Sequence, residues 1–249
     1  MICLTPDWPA PSNVFAFCTT REGGVSSGPY ASLNLADHVG DDECAVAENR
    51  ARLNAFLPED SRITWLRQVH GTAVVDAKVF AQPPEADACV SRTPGEVCAV
   101  LTADCLPVLF ASSSGREVAA AHAGWRGLLE GVLEATLAAL DAAPSELLVW
   151  LGPAIGPTAF EVGPEVREAY LAGAGASQRP TAACFRASGA RPGHSYADLY
   201  GLARIRLAAA GVTRIYGGEA CTHSEAARFF SYRRDGETGR MVSLVGISG

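Results

Sequence analysis

The sequence predicts an α+β fold, a single-domain sandwich of mixed β-sheets flanked by helices, spanning residues 1–249. Three observations lead there. Hydrophobic residues make up 48% of the chain, ample for a packed core and too many for general disorder. Short apolar runs bounded by turn residues recur along the chain and crowd its centre. Strand-like and helix-like segments are mixed without regular βαβα alternation, and no repeat or low-complexity linker divides them.

Taken in order, residues 14–20 read as a strand, and 21–42 as a Gly-, Ser- and Asn-rich segment too long for a plain turn. Residues 42–56 read as a helix, with acidic residues early and Arg50 and Arg52 late, as the helix dipole favours. Residues 64–70 and 72–79 are strand-like, with Gly71 between them. Four short apolar runs follow, at 86–90, 97–102, 107–111 and 118–122. Residues 127–142 carry helical periodicity through Leu129, Val132, Leu133, Leu137 and Leu140. Residues 147–151 suggest a strand, 164–172 a short helix, and 196–210 an amphipathic helix ended by Gly211. Strands at 213–216 and 241–247 close the pattern, with 235–239 read as a hairpin turn.

The formal net charge of −7 argues against a general binder of nucleic acid or anionic membrane, which would show a basic footprint. Of the 20 basic residues only Lys78 is a lysine. Such an arginine bias suits recognition of planar anions, and a GC-rich genome produces it as well. No apolar run approaches the roughly 18 residues that span a bilayer. The first seven residues have neither a basic nor a long apolar segment, so no signal peptide and a cytoplasmic location are expected. The cysteines are Cys3, Cys18, Cys44, Cys89, Cys98, Cys105, Cys184 and Cys221. None forms a CxxC pair, which excludes zinc-ribbon and thioredoxin readings; most are expected to be free thiols.

Of the five histidines, two stand in conspicuous contexts, Gln68-Val69-His70-Gly71 and His122-Ala123-Gly124-Trp125-Arg126-Gly127. Between them lies Thr102-Ala103-Asp104-Cys105-Leu106-Pro107. Each polar residue ends an apolar run beside a Gly or Pro break, where side chains from distant segments converge. His70, Cys105 and His122 make a plausible zinc set, since three protein ligands leave a fourth position open. Their separations, 105 − 70 = 35 and 122 − 105 = 17, exclude a local knuckle, so the fold must assemble the site. A purely structural role for each residue is the competing reading.

These motifs sit in a longer series. Thr20-Arg21-Glu22-Gly23-Gly24-Val25-Ser26, Ser32-Leu33-Asn34-Leu35, His38-Val39-Gly40-Asp41-Asp42 and Asn49-Arg50 come first. Trp65-Leu66-Arg67 leads into the His70 motif, and Ala86-Asp87-Ala88 lies before the Cys105 motif. Gly152-Pro153-Ala154-Ile155-Gly156 and Phe230-Ser231-Tyr232-Arg233-Arg234 complete it. With these, nearly the whole chain resembles the bacterial proteins once called multicopper polyphenol oxidases or laccase-domain proteins. They are now described as purine nucleoside phosphorylases with adenosine deaminase activity, and some as peptidoglycan editing factors. The resemblance places the metal ligands on His70, Cys105 and His122. It implies an α+β sandwich and small-molecule nucleosides with phosphate as partners.

Zinc acidifies bound water, which suits hydrolytic deamination at C6 of adenosine. No HxE motif accompanies His122, so Asp104 is the nearest carboxylate for proton transfer, with backbone capping as its alternative role. Phosphorolysis needs an anion site beside the sugar. Arg126 before the 127–142 helix, with Arg21 and Arg233, are the candidates. Asn34 is a candidate for ribose or base, against an Asx turn. Trp125, Phe229, Phe230 and Tyr232 offer stacking faces, though core or rim positions are the plainer reading. His38 is read as supporting the site, and His194 and His223 as surface residues. Three alternatives stand beside this reading. A copper oxidase is disfavoured because five histidines cannot furnish a multinuclear cluster, although His₂Cys does bind copper. A cysteine hydrolase would use Cys105 as nucleophile and a histidine as base on peptidoglycan precursors. A non-enzymatic metal module is the third. Oligomeric state is left open.

Overall fold

The computed structural model describes residues 2–189 and 191–249. The chain begins with β1 (Cys3–Leu4) and β2 (Val14–Thr19) and reaches α1 (Glu43–Phe56) through a long loop. Next come β3 (Arg62–Thr64), β4 (Val74–Asp76), β5 (Ala88–Ser91), β6 (Glu96–Thr102), β7 (Leu106–Ser112) and β8 (Val118–Ala123). Helices α2 (Trp125–Glu130) and α3 (Val132–Ala139) lead to β9 (Leu147–Leu151), β10 (Glu161–Val162), α4 (Pro164–Gly173) and α5 (Gln178–Ala183). The chain closes with β11 (Phe185–Ala187), β12 (Ser195–Ala197), α6 (Leu199–Ala209), β13 (Arg214–Gly217), α7 (Tyr232–Asp235) and β14 (Met241–Ile247).

Two large mixed sheets dominate. One has the order β1-β2-β14-β6-β3, the other β13-β9-β7-β8-β5-β4, and a small third sheet runs β10-β12-β11. Side-chain alternation sets the layers. From β6, Cys98 and Val100 point into a core shared with Cys89, Leu109 and Ala120 of the other sheet. Val97, Ala99 and Leu101 point the opposite way, against Leu33, Leu35 and Leu53 of the long loop and α1. From β7, Leu106, Val108 and Phe110 face Leu128, Val132 and Leu133 of α2 and α3 and Leu202 of α6. The central strands are thus buried on both faces, which is why they read as continuous apolar runs. The α+β sandwich expected from the sequence is what the structure shows. Among the described residues no helix is long and apolar enough to cross a membrane.

Several expected elements differ. The strand expected over 64–70 stops at Thr64. Beyond it the Gln68 side-chain amide takes over the pairing with β6, accepting from the Leu101 N–H and donating to its carbonyl, both at 2.8 Å. The N–H groups of Val69, His70 and Gly71 all turn to one carboxylate, that of Asp87. The strand expected over 72–79 contracts to β4. The helix expected over 127–142 is two helices, broken at Gly131, whose φ is 104°. The helix expected from 196 starts after Asp198, whose side chain accepts from the Gly201 N–H, and residues 195–197 pair as β12. The expected hairpin at 235–239 is instead the exit from α7, and β14 pairs with β2 and β6.

Candidate active site

β6 and β7 belong to different sheets, so residues 103–105 carry the chain from one to the other. This crossing holds Cys105 at the mouth of the sandwich. Asp104 makes the turn in the left-handed region, with φ 93°. β8 runs antiparallel to β7 with Pro107 opposite His122, so the end of β8 comes back beside Cys105. His70, also left-handed with φ 61°, arrives on the irregular segment after β3. The ligand atoms of His70, Cys105 and His122 all lie within 4.8 Å of one another. Cys105 Sγ is 3.9 Å from His70 Nε2, and the two imidazole rings stand edge to face with centroids 4.8 Å apart. Among the described residues this is the one group of three or more side chains placed to hold a metal ion.

Asp87, just before β5, organises the group. Its carboxylate accepts from the N–H groups of Val69 (3.1 Å), His70 (3.0 Å) and Gly71 (2.7 Å), and Oδ1 lies 2.8 Å from His122 Nδ1. An ionised carboxylate only accepts, so the proton sits on Nδ1 and His122 Nε2 is left as a donor atom toward Cys105. Burial works against charge on Asp87, but the hydrogen bonds, that of His122 foremost, hold its pKa below the usual carboxylate value. Burial likewise opposes ionisation of Cys105, yet His122 and then His70 bring the thiol down to about 6. His122 is raised to about 9, Cys105 and Asp87 outweighing its burial. Without metal these shifts favour a thiolate on Cys105 and a second proton on His122, at the Nε2 that a metal would otherwise take. The backbone at Gly124 packs close against the group: a Cβ there would lie 3.0 Å from His70 Cδ2 and 3.1 Å from Cys105 Sγ, so both ligands would have to give by a few tenths of an ångström. Two imidazoles and a thiolate converging on one point, with one imidazole oriented by a carboxylate, fit a zinc ion; they equally satisfy copper's ligand preference.

These ligands open into a cavity of about 370 Å³, in the range of roughly 300–1,000 Å³ usual for small-ligand sites. Gln68, Leu101, Thr102, Tyr232 and Arg240 line it, with His38 at the edge. A larger cleft of about 860 Å³ lies beside Arg92 and Glu117, but its charges are already matched, Arg92 with Asp141, Asp76 and Glu117.

The other residues expected at the site lie outside that cavity's wall. Asp104 is buried and both carboxylate oxygens are taken, by the Thr222 hydroxyl at 2.6 Å and the Arg233 N–H at 2.7 Å. Its position is the backbone-capping alternative. Arg126 is exposed and lies over the Trp125 ring. Arg21 donates to the carbonyls of Ala31 and Ala226 and covers Phe230. Arg233 donates to the Glu161 carbonyl and lies over Phe160. Asn34 is fully buried, closes an Asx turn onto Ala36 and accepts from the Arg240 N–H. Phe229 and Phe230 are core. Asp87 and Arg240 are the polar residues of this region that the sequence reading left without a role. Arg240 carries part of the signal that marked the ligands, standing between Gly239 and an apolar run, whereas Asp87 lies inside the 86–90 run and has only its charge in apolar surroundings to mark it.

Residues 15–248 match the family described as multi-copper polyphenol oxidoreductase laccase. A purine nucleoside phosphorylase of Pseudomonas aeruginosa is 58% identical over 242 residues, covering 97% of each chain. The purine nucleoside phosphorylase YfiH of Escherichia coli is 53% identical over 246 residues, again covering 97% of each. The crystal structure of a Neisseria meningitidis protein superposes with a TM-score of 0.93 at 49% identity, covering 99% of each chain. That of YlmD from Geobacillus stearothermophilus gives 0.88 at 35%, covering 99% of this chain and 96% of that one. The chain therefore belongs to the multi-copper polyphenol oxidoreductase laccase family.

Proposed function

We propose that this protein is a zinc-dependent purine nucleoside phosphorylase that also deaminates adenosine by hydrolysis. The observation that carries the reading is the His70–Cys105–His122 group opening into a nucleoside-sized cavity, in a chain whose relatives are named purine nucleoside phosphorylases. A multicopper mechanism needs further metal-ligating clusters, and the described residues supply this group alone.

His70, Cys105 and His122 would hold the zinc. When bound, zinc supplies Lewis-acid charge that acidifies water and polarises substrate oxygen. Asp87 fixes the His122 tautomer and, through three N–H groups, the backbone that presents His70. Leu101 and Ala103 give the cavity an apolar wall for a purine, and the exposed Tyr232 offers a ring at its rim.

A second reading has its own support. Cys105, His122 and Asp87 stand in the order of a thiol, a base and an orienting carboxylate, as in a cysteine hydrolase. A peptidoglycan precursor with a wrong amino acid would be its substrate. Metal content separates the two, because a metal-held thiolate is a poor nucleophile. Elemental analysis of the purified protein, beside adenosine turnover with and without phosphate, is the test. The phosphorylase reading expects about one zinc per chain, adenine release that needs phosphate, and inosine formed without it. A metal-free protein that leaves adenosine intact and cleaves an amide through Cys105 would replace it with the hydrolase.

A further inference from the structure

Phosphorolysis requires a cation that is held in place, faces the site and is not already neutralised. Arg21, Arg126 and Arg233 lie outside the cavity wall, and the first and last already donate to carbonyls. Arg240 meets all three conditions. It lies on the wall that also carries His70, Cys105 and His122. Its backbone N–H donates to Asn34 Oδ1 at 3.0 Å, and Nη1 donates to the carbonyls of Thr238 and Gly239 at 2.8 and 3.0 Å. The guanidinium carbon sits 5.9 Å from the centroid of the Tyr232 ring. One edge of the fork is thus anchored. Nε and Nη2 have no partner among the described residues, and no carboxylate there forms an ion pair with this side chain. Burial opposes its charge, and the nearby Cys105 and Asp104 favour it. Thr102 lines the same cavity, and the antiparallel register places it opposite Met241, the residue after Arg240. Thr102 is 1% exposed and its hydroxyl has no hydrogen-bond partner among the described residues.

We propose that Arg240, with the Thr102 hydroxyl of the same cavity lining, is the phosphate-holding subsite of this cavity. The assignment rests on the phosphorolysis reading. A planar fork with one edge fixed and the other free matches two oxygens of a phosphate. Held there, hydrogen phosphate attacks C1′ of the ribose. A C1′–O bond forms and the C1′–N bond to the base breaks. Its electron pair leaves with the purine, which takes up the phosphate's proton. The products are ribose 1-phosphate and free base, with no oxidant or further reactant required.

The test uses Arg240→Gln, Arg240→Lys and Thr102→Val in the metal-loaded protein, with inorganic phosphate as probe. Arg240→Gln should weaken phosphate binding in calorimetry, and raise the phosphate KM, by about 10–100-fold. The nucleoside KM and the zinc content should stay within about threefold of wild type. Arg240→Lys should recover part of the loss, since a lysine restores charge without the fork. Thr102→Val should weaken phosphate a few-fold. An independent readout needs no variant: phosphate should protect Arg240 from phenylglyoxal in the wild-type protein, mapped by peptide mass spectrometry. Unchanged phosphate affinity in Arg240→Gln, or no protection of Arg240, overturns the assignment. If adenosine is not phosphorolysed but phosphate still protects Arg240, the anion subsite stands and the phosphorylase reading falls. If phosphorolysis proceeds without that protection, the reverse holds.

Discussion

Asp87 does the work of four contacts with one carboxylate. It collects the N–H groups of Val69, His70 and Gly71 and the Nδ1 of His122, so it joins two ligand-bearing segments that are 52 residues apart (122 − 70 = 52). Asp87→Asn keeps the shape but turns one acceptor into a donor that faces donors. Carboxylates behind metal-ligating histidines typically govern affinity by 10–100-fold. The expected outcome is a zinc affinity lower by about that factor, read by chelator competition. Stability should also fall by roughly 1–3 kcal/mol for the buried donors left unpaired. Wild-type zinc affinity in this variant would refute the orienting role. At this scale the ligands were legible in the sequence because His70, Cys105 and His122 each end an apolar run beside a Gly or Pro break. Arginine roles were not. Arg21 and Arg233 stand in prominent motifs and Arg240 in none, and only the packing shows that the first two lie outside the cavity wall and donate to the carbonyls of Ala226 and Glu161.

Elements with strong local signals emerge where the sequence places them. Helix α1 starts after Asp42, which caps the Ala45 N–H, and β14 follows its apolar run residue for residue. Elements set by long-range contacts do not. The two- and three-residue strands of the small sheet carry too little pattern to read, and the segment after Thr64 is governed by Gln68 and Asp87 rather than by propensity. The break at Gly131 lies between. Its periodicity is helical on both sides, and the interruption comes from one backbone angle. At φ 104° a β-carbon is strained, although the nearest atoms to it would be an ordinary 3.5 Å away. Gly131→Ala should therefore cost about 1 kcal/mol, a left-handed penalty of roughly 1–2 reduced by the lower entropy of the unfolded chain. Gly173 in α4 is the control, with open space for a Cβ and no positive φ. Gly173→Ala should stabilise by roughly 0.5 kcal/mol. Thermal melts giving both substitutions the same sign would mean that the α2–α3 break is not held by this conformation.

On the scale of the whole molecule, packing both faces of both large sheets places Cys18, Cys89 and Cys98 out of water, and Cys3 and Cys184 are partly covered. Cys18 is fully buried, and burial pushes its pKa up to about 12. Burial raises Cys3 and Cys184 to about 11 each. Burial also raises Tyr170 and Tyr200. Unfolding returns these thiols to an ordinary value near 8.5. Between that pH and the folded value, the unfolded chain has released a proton that the folded chain retains. Stability is then complete below about pH 8.5 and declines as pH rises toward 11, by up to about 1.4 kcal/mol per pH unit for the buried Cys18 and by less for the half-exposed Cys3 and Cys184. Urea midpoints at pH 7.5, 9.5 and 10.5 should show this fall, which deepens as successive groups titrate. Cys18→Ala isolates one contribution. The substitution lowers stability at every pH by leaving a cavity, but the slope of stability against pH should become shallower by one thiol. Because the slope and not the absolute stability is read, the cavity does not confound the result. An identical slope in wild type and Cys18→Ala would show that water reaches Cys18 and that the inter-sheet core is looser than its packing implies.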